Sequence, residues 1–195
     1  MSPTSVAGIT ARPAPVAANR ALPSPGAAIL IVGSPGAGKS TLSREVARRL
    51  DLPLIHLDRH YWRPGWVASD GAGFRAEVAG LAARPAWVMD GNYGATLDLR
   101  LPRADLLVIC DPPRLRCIVR VLRRHWAHRV TPRPDLPDGC PEQIDLEFLR
   151  YIWRFPRRSR PGILAAVAAA AAPPTVVLLR SRAEVRRWLA TLPTV

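Results

Sequence analysis

Residues 33–40 read Gly33-Ser34-Pro35-Gly36-Ala37-Gly38-Lys39-Ser40, which fits the pattern G-x-x-x-x-G-K-[S/T], with Thr41 next in line. In such a loop the backbone N–H groups and the positive end of the following helix converge on phosphate oxygens. The lysine reaches the β- and γ-phosphates, and the hydroxyl beside it ligates magnesium. Those roles would fall to Lys39 and Ser40. Lys39 is also the sole lysine among the 28 basic residues, all others being arginine. That excludes GTPases that read guanine through Asn-Lys-x-Asp, and protein kinases, whose lysine stands on a strand outside the phosphate loop. The motif Leu-Ser-Gly-Gly-Gln is absent, and 195 residues leave no room for the added modules of motor or transporter ATPases. Small-molecule and nucleotide kinases remain, using ATP with Mg2+ as the cofactor pair.

Three aspartates are expected at strand ends: Asp58, Asp90 and Asp111. In an open parallel sheet the strand carboxyl ends face the ligand crevice. Asp58 and Asp90 are therefore candidates for organising magnesium or for accepting a proton from an acceptor hydroxyl, the choice between them being open. Asp111, just before Pro112-Pro113, reads as a turn residue. Arginines supply the remaining chemistry, because forked guanidinium groups can stabilise charge spread over a transferring phosphoryl group. Arg116, Arg120, Arg123 and Arg124 recur at three- and four-residue spacing, and Arg154, Arg157, Arg158 and Arg160 follow. Arg120 and Arg124 are the candidates for the phosphoryl group, Arg154 and Arg157 for the acceptor. The bland alternative for each is a solvated basic face.

The elements that must position these residues alternate along the chain. Ala28–Gly33 is a continuous apolar run leading into the glycine loop, and Leu42, Val46 and Leu50 mark the helix after it. Further strands are expected at 53–58, 86–90, 105–111 and 175–179. Helices carry Phe74, Val78 and Leu81; then Leu115, Ile118, Val119, Leu122 and Trp126, with arginine on the other face; then Ile144, Phe148, Tyr151 and Ile152. Ser181 and Glu184 form a capping box before the last helix. The expectation is a single doubly wound α/β P-loop domain over 27–195, with a five-stranded parallel sheet, helices on both faces and an arginine-rich lid over about 124–160. Residues 1–26, rich in Pro and Ala, read as a loose tail.

Net charge is +13, 28 basic against 15 acidic residues, which suits nucleic acid, an anionic surface or a polyphosphate substrate alike. Three cysteines without a C-x-x-C imply neither a disulfide framework nor a zinc knuckle. Their number and the lack of an apolar leader or span point to the cytoplasm. The four histidines show no metal spacing with carboxylates. Trp62 and Trp66 flank Pro64-Gly65 after Asp58, where an acceptor could stack, although core packing is the plainer role.

The phosphate loop, Leu57-Asp58 followed by Trp62-x-Pro-Gly-Trp66, Trp87-Val-Met-Asp90-Gly-Asn-Tyr93, Arg100, Ala104-Asp105, the arginine helix and Phe148-x-x-Tyr-Ile-Trp153 together resemble the DNA topology modulation proteins. These are P-loop proteins related to adenylate kinases, and the likeness spans roughly residues 29–180. It implies that Asp90-Gly91 lies beside magnesium and the acceptor, and that Arg100 grips an acceptor phosphate. The chain departs from adenylate kinases proper: the segment after Asp58 is too short for a nucleotide-acceptor domain, and Asp-Gly-Phe-Pro-Arg is absent. Two functions follow. One is an ATP-dependent phosphotransferase acting on a small-molecule acceptor; the other is a slow ATPase that binds nucleic acid.

Overall fold

The apolar run Ala28–Gly33 forms β1, buried along its whole length because it lies at the centre of the sheet with helices on both sides. The computed structural model describes residues 26–127, 135–141 and 143–193. In it β1 is followed by α1 (Lys39–Leu50), β2 (Leu54–His56), α2 (Leu57–Tyr61), the hairpin β3 (Trp62–Arg63) and β4 (Val67–Ala68), and α3 (Gly71–Ala82). Then come β5 (Trp87–Asp90), α4 (Leu97–Arg100), β6 (Leu106–Cys110), α5 (Arg114–Ala127), α6 (Leu146–Ala169), β7 (Thr175–Leu179) and α7 (Arg182–Thr191). The main sheet is parallel throughout, in the order β2-β5-β1-β6-β7. This is the five-stranded parallel sheet with helices on both faces that the alternating pattern implied.

Side chains alternate across a strand, so β1 feeds two cores. Ile29 and Ile31 pack with Leu42, Val46 and Leu50 of α1 and with Val121 of α5. Leu30 and Val32 pack on the other face with Phe74 and Val78 of α3 and with Phe155 and Ile163 of α6. Asp70 caps α3 by accepting from the Ala72 and Gly73 amides. Ser181 caps α7 by accepting from Glu184 N, while Glu184 reaches back to Arg180 N.

Two expectations are corrected. The second strand ends at His56, not 58; Leu57–Tyr61 turns into a helix, so Asp58 stands in its first turn rather than at a strand end. The helix α5 is rotated from the expected face: Leu115, Val119, Leu122 and Trp126 are exposed at 64%, 51%, 39% and 68%, while Ile118 of the expected stripe packs partly buried against the core beside buried Cys117 and Val121. The reason is that α5 lies against the phosphate loop, which needs small side chains and arginines on that side. Residues 146–160 of the expected lid form the first part of α6, where Ile152 and Phe155 are buried. Residues 128–134 and 142 of the expected lid, and 1–25 of the expected tail, lie outside the described residues. Among the described residues no helix is long and apolar enough to cross a membrane.

Candidate active site

The loop after β1 wraps where only glycine fits. Gly33 has φ +147°, and a Cβ there would stand 2.2 Å from the Cys110 carbonyl oxygen; at Gly36, φ +75°, it would stand 2.3 Å from that of Cys117. A side chain at either position would push the loop off β6 or α5. The first turn of α1 carries no acidic residue, and its N-cap, Gly38, offers no side-chain acceptor. Amides at this helix start are thus left to an outside anion, which the helix dipole favours. Lys39 Nζ lies across the loop, donating to the carbonyls of Gly33 at 3.0 Å and Ser34 at 3.2 Å.

Arg120 reaches from α5 to the same loop and donates to the Ala37 carbonyl at 3.0 Å. Burial, then the neighbouring Arg182 and Arg116, make its guanidinium hold its proton less tightly than usual. A bound polyanion would offset both costs. Arg124, one turn further on α5, lines the same cleft.

Asp90 ends β5 directly beside His56 of β2, its register partner. His56 Nδ1 lies 2.7 Å from Asp90 Oδ1, and Ser43 Oγ of α1 donates to Oδ2 at 3.0 Å. Asp90 is only 4% exposed, and its carboxylate is fixed from two elements. The loop beyond it holds both sides of the cleft. Asn92 Oδ1 accepts from Gly33 N and its Nδ2 donates to Gly33 O, each at 2.9 Å. The next residue, Tyr93, donates its hydroxyl to Asp58 Oδ1 at 2.6 Å. Burial first, and then the Asp58 charge, push the phenol well above its ordinary range, so it remains a donor.

A cleft of about 1270 Å³ joins these groups. Pro35, Gly36, Gly38, Lys39, Ser40, Thr41, Asp58, Asp90, Arg120 and Arg124 line it together, as the sequence pattern grouped them. Gly33, Ser34 and Ala37 sit in the same loop but are buried behind it. Arg100 is not at the surface: it is fully buried and donates to the carbonyls of Gly91, Asn92, Tyr93 and Thr96. Burial lowers it to about 10, still cationic at neutral pH. It fastens the 91–96 loop and cannot grip an acceptor. Arg154 and Arg157 are exposed on α6 and do not line the cleft; the cleft-facing positions of that helix are Phe148, Tyr151, Ser159, Gly162, Ile163 and Ala166. Arg160 pairs with Asp111 at 2.6 Å, which closes the turn after β6.

His56, Ser43 and the structural use of Asn92 escaped the sequence reading. For His56 a signal existed, since the strand pairing of a doubly wound sheet places it level with Asp90. Ser43 lies one turn after Lys39, on the flank of α1 nearest β5, and shows no pattern of its own.

No group of three or more His, Cys, Asp or Glu stands together to hold a metal ion among the described residues. Ser40 and Asp90 face the same cleft. Each Asp90 oxygen accepts one bond within the protein and so retains a lone pair for a hydrated ion.

No family model matches the chain, and no curated protein matches it significantly. Solved structures do. Shikimate kinase from Acinetobacter baumannii, in complex with shikimate, superposes with a TM-score of 0.54 at 19% identity, over 84% of this chain and 89% of that one. A putative kinase from Chloroflexus aurantiacus gives 0.49 at 18% identity, over 85% and 96%. A gluconokinase from Sinorhizobium meliloti gives 0.46 at 18%, over 86% and 93%. The chain has the α/β P-loop fold that shikimate kinase also has.

Proposed function

We propose that the chain is an ATP-dependent phosphotransferase that moves the γ-phosphoryl group to a small-molecule hydroxyl in the cytoplasm. The observation that carries this is the convergence on one cleft of Lys39, Arg120 and Arg124 with Asp58 and Asp90. The loop amides and Lys39 hold the β- and γ-phosphates, and Arg120 and Arg124 meet charge as it spreads over the transferring group. Magnesium, held by Ser40 and Asp90, would neutralise phosphate charge when bound. An acceptor oxygen bonds to γ-phosphorus as the bond to the β,γ-bridging oxygen breaks. The electron pair leaves with ADP, and the acceptor's proton passes to Asp58, which Tyr93 orients.

The more specific elements of the resemblance to DNA topology modulation proteins are Asp90-Gly-Asn-Tyr93 and Tyr151-Ile-Trp153. The first of these builds the cleft through Asp90, Asn92 and Tyr93, which supports a small-molecule site. The test is Lys39→Ala, assayed for magnesium–ATP binding by calorimetry and for turnover. Both should be lost in a folded protein; unchanged values would end this reading. DNA binding tested alongside distinguishes the rival: lost DNA affinity with a steep salt dependence and intact phosphoryl transfer in Arg120→Ala and Arg124→Ala would favour nucleic acid.

A further inference from the structure

We infer that Ser43 is a positioning residue of the proposed phosphotransferase: its hydroxyl ties Asp90 to the start of α1 and, opposite His56, fixes the attitude in which the carboxylate meets hydrated magnesium. This rests on the phosphotransferase reading and deepens it, because Ser40 and Asp90 are the residues given to the metal there. The pattern G-x-x-x-x-G-K-[S/T] ends at Ser40 and asks for no hydroxyl at 43. Ser43 is nevertheless fully buried, on a helix face otherwise made of Leu42, Val46, Ala47 and Leu50. A hydroxyl in such surroundings is costly unless it is bonded. Packing alone would be served by alanine, the residue that suits a helix best.

The hydroxyl has two acceptors within reach. One is the carbonyl of Ser40 at 3.2 Å, the kind of backbone partner a serine inside a helix ordinarily uses. The other, Asp90 Oδ2, is nearer at 3.0 Å, and a carboxylate accepts more strongly than a neutral carbonyl. A hydroxyl has one proton to give, so donation to Asp90 prevails. On the other oxygen of that carboxylate stands His56 Nδ1, at 2.7 Å. The end torsion of an aspartate is broad and roughly two-fold, so a carboxylate without such partners swings freely. Here any turn breaks a bond to α1 and a bond to β2 together. Ser43 thus holds the strand that ends at Asp90 in one frame with the helix turn that carries Ser40, and both of these residues line the cleft.

The test is calorimetry of the full-length protein with the β,γ-imido analogue of ATP, in saturating magnesium and again in EDTA. The ratio of the two affinities is the gain due to the metal. A general loosening of the phosphate loop would lower both affinities together and leave that ratio unmoved. Ser43→Ala should cut it by about tenfold, the scale typical of groups that hold a metal ligand. In the Asp90→Asn protein, whose metal-binding carboxylate is already gone, Ser43→Ala should change the ratio no further. Should Ser43→Ala not fold, Ser43→Cys, near in size but a weak donor, is judged by the same ratio. A cut below threefold overturns the inference, as does an equal cut in the Asp90→Asn protein. A parent that binds no analogue in either condition sinks the phosphotransferase itself and this role with it. A metal-dependent gain that survives loss of the Ser43 hydroxyl sinks only the positioning role.

Discussion

Arg100→Ala separates a buried fastener from a substrate-gripping arginine. The guanidinium donates to Asn92 O at 2.7 Å, Tyr93 O at 2.8 Å, Gly91 O at 3.0 Å and Thr96 O at 3.3 Å. Hydrogen bonds to charged groups contribute about 1.5–3 kcal/mol each, and an orphaned buried carbonyl costs a similar amount. Counting the three shorter bonds at the low end gives roughly 4–5 kcal/mol; relaxation of the loop and entry of water reduce this to about 3–4 kcal/mol. A domain of this size loses about 2–4 °C per kcal/mol, so Tm should fall by roughly 10 °C. Urea and thermal unfolding of Arg100→Ala, with Arg100→Lys beside it, measure this. Lysine keeps the charge but cannot span four carbonyls, so it should recover only part of the loss. A stability within about 0.5 kcal/mol of the parent, below the scatter of ordinary surface changes, would refute the role. A raised acceptor KM in that unweakened protein would restore Arg100 to the substrate.

Gly36→Ala should destabilise by about 3 kcal/mol or more and abolish ATP binding, since its Cβ would overlap the Cys117 carbonyl at a backbone angle that alanine resists; denaturant unfolding and calorimetry check it. Arg120→Ala and Arg124→Ala should lower kcat by about 10³-fold while ATP binding weakens far less, because their contacts strengthen as charge spreads in the transition state; single-turnover kinetics separate the two. Burial pushes the Cys110 thiol up to about 12 from an ordinary 9.0. The folded state then keeps a proton that the unfolded chain releases, so Cys110 adds no pH dependence below about 9 and lowers stability between about 9 and 12. Comparing Cys110→Ala with the parent over that window tests the sign, and at pH 8 Cys110 should resist alkylation until the protein is unfolded.

The phosphate loop and β1 were legible because loop chemistry and strand burial constrain sequence locally: only glycine fits beside Cys110 and Cys117, and only a two-sided strand is apolar throughout. The orientation of α5 was not legible. Its apolar stripe suggested the core, but the demand of a phosphate site for inward arginines overrides hydrophobic periodicity, and periodicity alone cannot say which face is inward. Arg100 misled for a related reason. A buried arginine that feeds carbonyls and one that feeds a ligand look alike until the loop around it is seen. Asp58 was found by type but not by setting, as the short β2 gives way to a helix whose first turn shares the strand's apolar residues.

Asn92 and Tyr93 are consecutive, and one peptide unit therefore connects two grips: Asn92 on Gly33 of the nucleotide loop and Tyr93 on the acceptor-facing Asp58. A shift of that peptide bond moves both at once. In the proposed phosphotransferase, nucleotide and acceptor would thus become effectors of each other, because each would displace or hold the same peptide. By reciprocity the gain must be the same factor in either order. In the proposed phosphotransferase, the stiffness of that one amide would by itself couple the two sites.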